Sequence, residues 1–196
     1  MNDQSIMFRR FNSDDLPEIL RIQKANLVFN MSENDKANGF LSVEFPSQQF
    51  IEMNSEIPTV VADLGSSLGG YLCGSSIQYS RQVPILARMI GLFPKTYFRR
   101  KSLEQYQPFI YGPVCIDRPL RGRGILEGLY DELLKQVAGK FDLGILFISQ
   151  ANPRSLRAHT AKLGMERVAD FTFNGNDFSM LVFEVPHLLE NGQIGQ

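Results

Sequence analysis

The chain contains the segment Ile116-Asp-Arg-Pro-Leu-Arg-Gly-Arg-Gly-Ile-Leu-Glu-Gly128, in which a strand pattern changes to a glycine-rich turn and then to a helix. Residues 109–117 are mostly apolar and predict a strand, and the apolar stripe that follows predicts a helix over 124–137. Glycines let the main chain approach an anion, and the first N–H groups of a helix carry partial positive charge. The segment therefore predicts a phosphate or pyrophosphate site, with a tight turn bearing solvated arginines as the alternative.

The glycine spacing excludes two other phosphate-binding patterns. A Walker loop needs Gly-Lys-Ser/Thr, and no lysine follows these glycines. A dinucleotide fingerprint needs G-x-G-x-x-G, whereas Gly122, Gly124 and Gly128 give G-x-G-x-x-x-G. The dinucleotide-binding fold also needs an acidic residue at the end of the next strand, whereas Asp142 precedes the predicted strand at 143–149.

The flanking sequence alternates between strand and helix patterns. We expect a strand at 7–11, a helix capped by Ser13, a helix at 47–56, a hairpin of strands at 58–64 and 70–78, a strand at 143–149, a helix at 153–163 capped by Asn152, and a hairpin of strands at 167–173 and 179–185. Residues 186–196 form a polar tail.

Residues 79–107 form an insertion in which the apolar residues show no clear helical or strand periodicity. Its basic residues are Arg81, Arg88, Lys95, Arg99, Arg100 and Lys101, against one acid, Glu104. We expect one or two short helices, because a loop of this length without secondary structure is unusual. The insertion is interpreted as a solvated basic face over a small apolar cluster, or as a lid or floor for an anionic ligand. Its charge favours an acceptor with a negative group.

The composition is that of an ordinary soluble globular protein, with 43% hydrophobic residues and a net charge of −1. This charge favours neither nucleic acid nor an anionic membrane as a partner. Cys73 and Cys115 lie in apolar runs, which predicts two reduced, buried thiols. His159 and His187 are the two histidines, and no metal-ligand spacing is present. Without a signal-peptide pattern or an apolar stretch that could span a membrane, a cytoplasmic location is expected.

Two motifs resemble those of one family. Residues 114–117, followed by Arg121-Gly-Arg-Gly-Ile125, resemble the acetyl-CoA motif of the GNAT superfamily of N-acetyltransferases. The run from Asn152 to His159, ending in Lys162-Leu-Gly-Met165, resembles its second motif. The resemblance implies a mixed α/β (α+β type) fold over 7–185, with a central, splayed, mainly antiparallel sheet flanked by helices.

The resemblance also implies a set of residues that bind acyl-CoA. Main-chain groups of Val114, Cys115 and Ile116 would pair with the pantetheine arm. Asn152 would bond the same arm, and the helix that carries Ser155 would line its acyl end. The pyrophosphate would be held by main-chain N–H groups of Arg121, Gly122, Arg123, Gly124, Ile125 and Leu126.

The sequence departs from the family pattern at two places. Leu126 stands where the family usually has glycine or alanine, which leaves main-chain N–H donation intact but loosens the approach. The spacing from Asn152 to Gly164 is one residue longer than the commonest one. Either His159 or Thr160 therefore occupies the position of the family's usual tyrosine.

Three side chains are candidates for catalysis. His159 is a candidate acid or proton shuttle, because imidazole titrates near neutral pH, with a packed helix histidine as the alternative. Tyr111 could contact the acceptor or belong to the core. Asp117 could be a base or form an ion pair with nearby arginines. A covalent mechanism at Cys115 is disfavoured, because nothing in the sequence positions a histidine to activate the thiol.

The resemblance implies transfer of an acetyl or other short acyl group to a primary amine by direct attack. Acetyl-CoA or another acyl-CoA would be the co-substrate, and no metal is expected. The acceptor would be a small molecule or a peptide amine, and a homodimer is left open. The alternatives are a non-catalytic acyl-CoA-binding sensor and an interaction module that uses the insertion.

Overall fold

The computed structural model describes residues 6–32, 36 and 39–186. The strands are Met7–Arg10 (β1), Val60–Asp63 (β2), Leu68–Ser75 (β3), Tyr97–Phe98 (β4), Lys101–Ser102 (β5), Pro108–Ile116 (β6), Leu143–Ser149 (β7), Glu166–Phe173 (β8) and Asn176–Glu184 (β9). The α-helices of this part are Leu16–Asn26 (α1), Ser47–Glu56 (α2), Ile77–Ser80 (α3), Pro84–Ile90 (α4), Ile125–Val137 (α5) and Pro153–Arg157 (α6), and the π-helical turn Ala158–Lys162 continues α6.

Within the described residues, seven strands form one sheet in the order β1-β2-β3-β6-β7-β9-β8. Every neighbouring pair is antiparallel except β6 and β7, which run parallel. The order follows the chain except that β9 lies between β7 and β8, as a hairpin folded back onto the sheet. The predicted mixed α/β class with a mainly antiparallel sheet is confirmed.

The sequence prediction was wrong about the cap of the first helix. The cap is Asn12, whose side chain accepts a hydrogen bond from the main-chain N–H of Asp14. The Asp15 carboxylate in turn accepts from the Asn12 N–H, which completes a capping box one residue earlier than expected from Ser13. One 3-10 turn, Ser13–Asp15, then leads into α1.

The predicted strand at 70–78 also differs at its end. The Ser76 hydroxyl accepts a hydrogen bond from the Tyr79 N–H and caps α3, so β3 ends at Ser75. A side chain that offers the backbone a local bond competes with the sheet in this way.

Helix α5 covers one face of the sheet. Ile125, Leu129, Leu133 and Val137 recur every four residues and are all buried in one apolar cluster with strand residues such as Leu72. This is the stripe that the sequence predicted, and it fixes the helix, and with it the glycine-rich turn, at the end of β6.

Gly128 permits close packing between α5 and β1. A Cβ added at Gly128 would lie 2.1 Å from Cζ of Phe8. We therefore expect Gly128→Ala to destabilise the fold by about 1–3 kcal/mol, since the ring must move in a packed site. Urea unfolding measures this. Phe8→Leu should recover most of the loss in the double variant, whereas additive losses would contradict the close contact.

The insertion covers the other face of the sheet beside α1 and α2. Its described structure consists of α4, short helical turns and the two-stranded β4–β5 hairpin. Ile85, Met89 and Phe93 are buried against Ile145 and Met180 of the sheet. The expected short helices are present, and the apolar side chains of the insertion complete a second core under a charged outer face.

The predicted tail lies outside the described residues except for Pro186. In the described ranges, no helix is both long and apolar enough to cross a bilayer.

Candidate active site

Strands β6 and β7 separate halfway along their length. Their pairing ends at Ile110 opposite Ile145, after three residue pairs. On its other edge, β6 has Gly112 and Pro113 opposite the single residue Cys73 of β3, which is a β-bulge. A bulge bends its strand, and proline has no N–H to donate to a ladder. From this point β6 continues along β3 and β7 along β9, so a wedge opens between them.

Two cavities meet at this wedge. The turn-side cavity, of about 460 Å³, lies against the glycine-rich turn and the start of α5. The insert-side cavity, of about 120 Å³, lies against the insertion. Both are lined by Phe40, Leu41, Val114, Asn152, Ser155 and His159. A ligand in one cavity and a ligand in the other would therefore meet between β6 and the helix that begins at Pro153.

The turn-side cavity has the features of an anion site. Gly122 and Gly124 line it with φ values of +83° and +78°, a conformation that side chains disfavour, and α5 begins directly after Gly124. The first N–H groups of a helix have no acceptor within it. Four cationic side chains also line the cavity: Arg121, Arg154, Arg157 and Lys162.

The structure brings most of the predicted binding residues together in the turn-side cavity. Those that line it are Val114, Cys115, Ile116, Arg121, Gly122, Gly124, Ile125, Leu126, Asn152 and Ser155. Arg123 is exposed and does not line it. Leu126, the residue that departs from the family pattern, is 8% exposed and also lines this cavity.

A segment that the sequence left unassigned, 39–45, walls both cavities. The Gly39 carbonyl accepts a hydrogen bond from the Arg121 guanidinium at 3.1 Å. The Phe40 carbonyl accepts one from Asn152 Nδ2 at 3.1 Å. Arg121 and Asn152 therefore anchor this segment, while Asn152 Oδ1 also caps its own helix by accepting from the Ser155 N–H. No periodicity in residues 39–45 indicates this position, because main-chain carbonyls make the contacts.

The extra residue between Asn152 and Gly164 is taken up by the π-helical turn Ala158–Lys162. A π-turn is a single-residue insertion in an α-helix and often lies at a functional site. His159 belongs to this turn, lines both cavities and is 3% exposed. The Thr160 hydroxyl instead donates to the Leu156 carbonyl and lines neither cavity. Of the two residues that the sequence left open, His159 is therefore the one that lines the cavities.

His159 and Tyr111 form a buried pair. The imidazole Nδ1 lies 2.8 Å from the Ser155 carbonyl, so Nδ1 carries the proton and donates it. Nε2 is then an acceptor, and it lies 3.4 Å from the Tyr111 hydroxyl. Burial lowers the pKa of His159, which keeps the ring neutral near pH 7, although the bond to Ser155 opposes this shift. Burial also raises the pKa of Tyr111 well above its usual value, so the phenol keeps its proton.

Asp117 lies away from the wedge. One carboxylate oxygen accepts from the Arg118 N–H at 2.9 Å, and the other pairs with Arg21 of α1 at 3.0 Å. It lines neither cavity. The geometry supports the ion-pair interpretation and gives no support to Asp117 as a base.

The two cysteines are free and buried, as the sequence predicted. Burial raises the pKa of the Cys115 thiol to about 12, so a thiolate nucleophile is disfavoured. Within the described ranges, no group of three or more His, Cys, Asp or Glu side chains is placed to hold a metal ion.

The basic side chains of the insertion do not reach the cavities. Arg81, Arg88 and Lys95 are exposed, and Arg99 pairs with Glu166 of β8. The insertion contributes Val83, Ile85 and Leu86 to the insert-side cavity instead. The expectation of a negatively charged acceptor, which rested on these cations, has no support in this geometry.

The architecture matches solved acetyltransferase structures over most of their length. An N-acetyltransferase from Staphylococcus aureus Mu50 is 17% identical, with a TM-score of 0.61, over 92% of this chain and 99% of that one. Arabidopsis thaliana NAA60 in complex with acetyl-CoA is 16% identical, with a TM-score of 0.62, over 92% and 99%. A ribosomal-protein-alanine N-acetyltransferase from Brucella melitensis is 18% identical, with a TM-score of 0.58, over 91% and 99%.

No family model matches the sequence, and none of the curated proteins matches it. The likeness to the solved structures is therefore one of three-dimensional arrangement, at 16–18% identity in these three cases. It covers 91–92% of this chain. The chain has the fold of the GNAT-type N-acetyltransferases.

Proposed function

We propose that the protein is an acyl-CoA-dependent N-acyltransferase that transfers an acetyl or other short acyl group to a primary amine. The observation that supports this most directly is the meeting of two cavities at the buried His159–Tyr111 pair. One cavity begins at a glycine-rich helix start, which suits the phosphates of a donor. The other offers the acceptor a separate approach to the same point.

The turn-side cavity would hold the donor. Main-chain N–H groups from Arg121 to Leu126 would bind the pyrophosphate, with Arg154 and Arg157 adding positive charge. The edge of β6 at Val114–Ile116 is not paired with β7, so it can bond an extended pantetheine arm as an added strand would. A similar structure, Arabidopsis thaliana NAA60, was solved with acetyl-CoA, which supports this donor.

Bound acyl-CoA supplies an activated thioester carbonyl. In direct attack, the amine nitrogen forms the new C–N bond, the C–S bond breaks, and one proton passes from the nitrogen to the departing sulfur. A main-chain N–H of β6 would stabilise the charge that develops on the carbonyl oxygen.

Neutral His159, whose unprotonated Nε2 faces the Tyr111 hydroxyl, would take the proton from the amine nitrogen directly or through that hydroxyl. The protonated His159–Tyr111 pair would then donate that proton to the departing sulfur. His159 acts here as the proton shuttle predicted from the sequence.

The central experiment measures both acetyl-CoA binding and amine-dependent turnover. Acetyl-CoA at 100 times its dissociation constant should stabilise the protein against unfolding by about 2.7 kcal/mol, and thiol release should accelerate when amines are added. Stabilisation without turnover on any amine would favour the acyl-CoA sensor. Failure of acetyl-CoA and of longer acyl-CoAs to stabilise the protein would overturn the proposed function.

The acceptor is proposed to be a small-molecule or peptide amine. A ribosomal-protein-alanine N-acetyltransferase is among the similar structures, which supports including peptide amines in the panel. The cytoplasmic location and the homodimer remain predictions from the sequence.

A further inference from the structure

The two cavities differ in the chemistry of their walls. The turn-side cavity is lined by four cationic side chains and one acid, Glu127. Within the described ranges, no Asp, Glu, Lys or Arg side chain lines the insert-side cavity. Its walls are apolar side chains from three parts of the fold: Phe45 of the segment 39–45, Val83 and Leu86 of the insertion, and Leu146 and Ile148 of β7.

Four polar side chains of the insert-side cavity lie where β6 and β7 separate, and the other polar side chains in its lining are the uncharged hydroxyls of Ser42 and Ser149. Asn152, Ser155 and His159 lie at the junction with the turn-side cavity, and the Tyr111 hydroxyl faces His159 there. A molecule whose amine lies at this junction would place its remaining atoms against the apolar walls. The insertion supplies the outer wall through Val83, Ile85 and Leu86, so this segment shapes the site that faces the acceptor.

We propose that the preferred acceptor carries an uncharged, apolar group beside its primary amine, and that this group fills the insert-side cavity. This inference rests on the proposed N-acyltransferase function. Apolar atoms gain by leaving water for such walls. A charged group would lose its hydration there without a charged partner among the described lining residues.

The first test compares two acceptors that differ mainly in polarity. L-Leucinamide and L-asparaginamide have the same α-amine and branched side chains of similar size. With acetyl-CoA as donor, we expect kcat/KM for leucinamide to exceed that for asparaginamide by about 10- to 100-fold, measured by thiol release. Equal values, or a preference for asparaginamide, would overturn the inference.

The second test places a charge in the cavity wall. Val83 is half-buried at the N-cap of α4, where aspartate is a favoured residue, so Val83→Asp should fold. It should lower kcat/KM for leucinamide by about tenfold or more while acetyl-CoA binding, followed by thermal shift, stays unchanged. Gln82→Asp is the matched control, because it makes a charge change at the adjacent, exposed position outside the lining and should alter neither value.

The outcomes separate this inference from the function on which it rests. If acetyl-CoA binds and amines are acetylated, but leucinamide has no advantage or Val83→Asp behaves as Gln82→Asp does, the apolar acceptor site is wrong and the enzyme assignment stands. If no amine is acetylated, the proposed function fails, and the inference fails with it.

Discussion

We expect His159→Gln to lower kcat for amine acetylation by about 100-fold or more, with little change in acetyl-CoA binding. The imidazole Nε2 is the neutral acceptor that faces the wedge, and the glutamine amide cannot take a proton at neutral pH. Steady-state kinetics with a saturating amine measures kcat, and a thermal shift with acetyl-CoA measures binding.

The pH profile gives an independent signature of His159. Burial holds its pKa below the ordinary value of about 6.5, and the neutral form is the competent one. In the wild type, kcat should therefore stay flat near pH 7 and fall only as the pH drops through the lowered pKa. Because His159→Gln has no imidazole to titrate, its kcat should be low at every pH and should not show this fall as the pH drops.

Thr160→Val is the matched control for His159→Gln. It changes the neighbouring residue of the same π-turn, whose hydroxyl bonds the Leu156 carbonyl and lines neither cavity. We expect kcat to stay within a factor of about two, because this half-buried side chain has no contact with either cavity. Activity of His159→Gln close to that of the wild type, or a larger loss in Thr160→Val, would contradict the role given to His159.

The second large effect is expected at the glycine-rich turn. Gly124→Glu should abolish the stabilisation of about 2.7 kcal/mol that is expected from acetyl-CoA at 100 times its dissociation constant. Gly124 is the N-cap of α5 and has a φ of +78°. A carboxylate at this position would compete with the donor phosphates for the helix N–H groups. Differential scanning fluorimetry with and without acetyl-CoA provides the measurement.

Gly175→Glu is the matched control for Gly124→Glu. Gly175 has a φ of +73°, and, as at Gly124, an added Cβ would meet no atom within 4 Å. It lies in the β8–β9 turn and lines neither cavity. Both variants should lose some stability without ligand, but only Gly124→Glu should lose the response to acetyl-CoA. A retained response in Gly124→Glu would mean that the turn has a structural role only.

The turn-side cavity, which is the proposed donor site, could be anticipated from the sequence because its signals are local. The strand pattern before Asp117, the glycines at 122 and 124, and the apolar stripe of α5 are each set by neighbouring residues. Asn152 was likewise identifiable as a helix cap, since its side chain bonds the main chain three residues later. These local features were enough to predict the order of the seven strands of the main sheet along the chain.

The acceptor side depends on contacts between residues far apart in the chain. Segment 39–45 is held by Arg121 and Asn152, more than 80 residues away, through main-chain carbonyls that carry no sequence signal. The basic residues of the insertion suggested an anionic acceptor, but its apolar side chains are the ones that face the cavity.

Residues close together in the chain were enough to predict most helices and strands outside the insertion, the glycine-rich turn and the two motifs, because helix periodicity, caps and turns depend on residues within a few positions of each other. The tertiary structure was needed to find that His159 rather than Thr160 lines the wedge, because both residues lie in the same π-helical turn and are equally compatible with the motif spacing. It also decided that Asp117 is tied to Arg21 of α1. Which side chains meet across the wedge depends on packing between distant elements, and local patterns do not encode that packing.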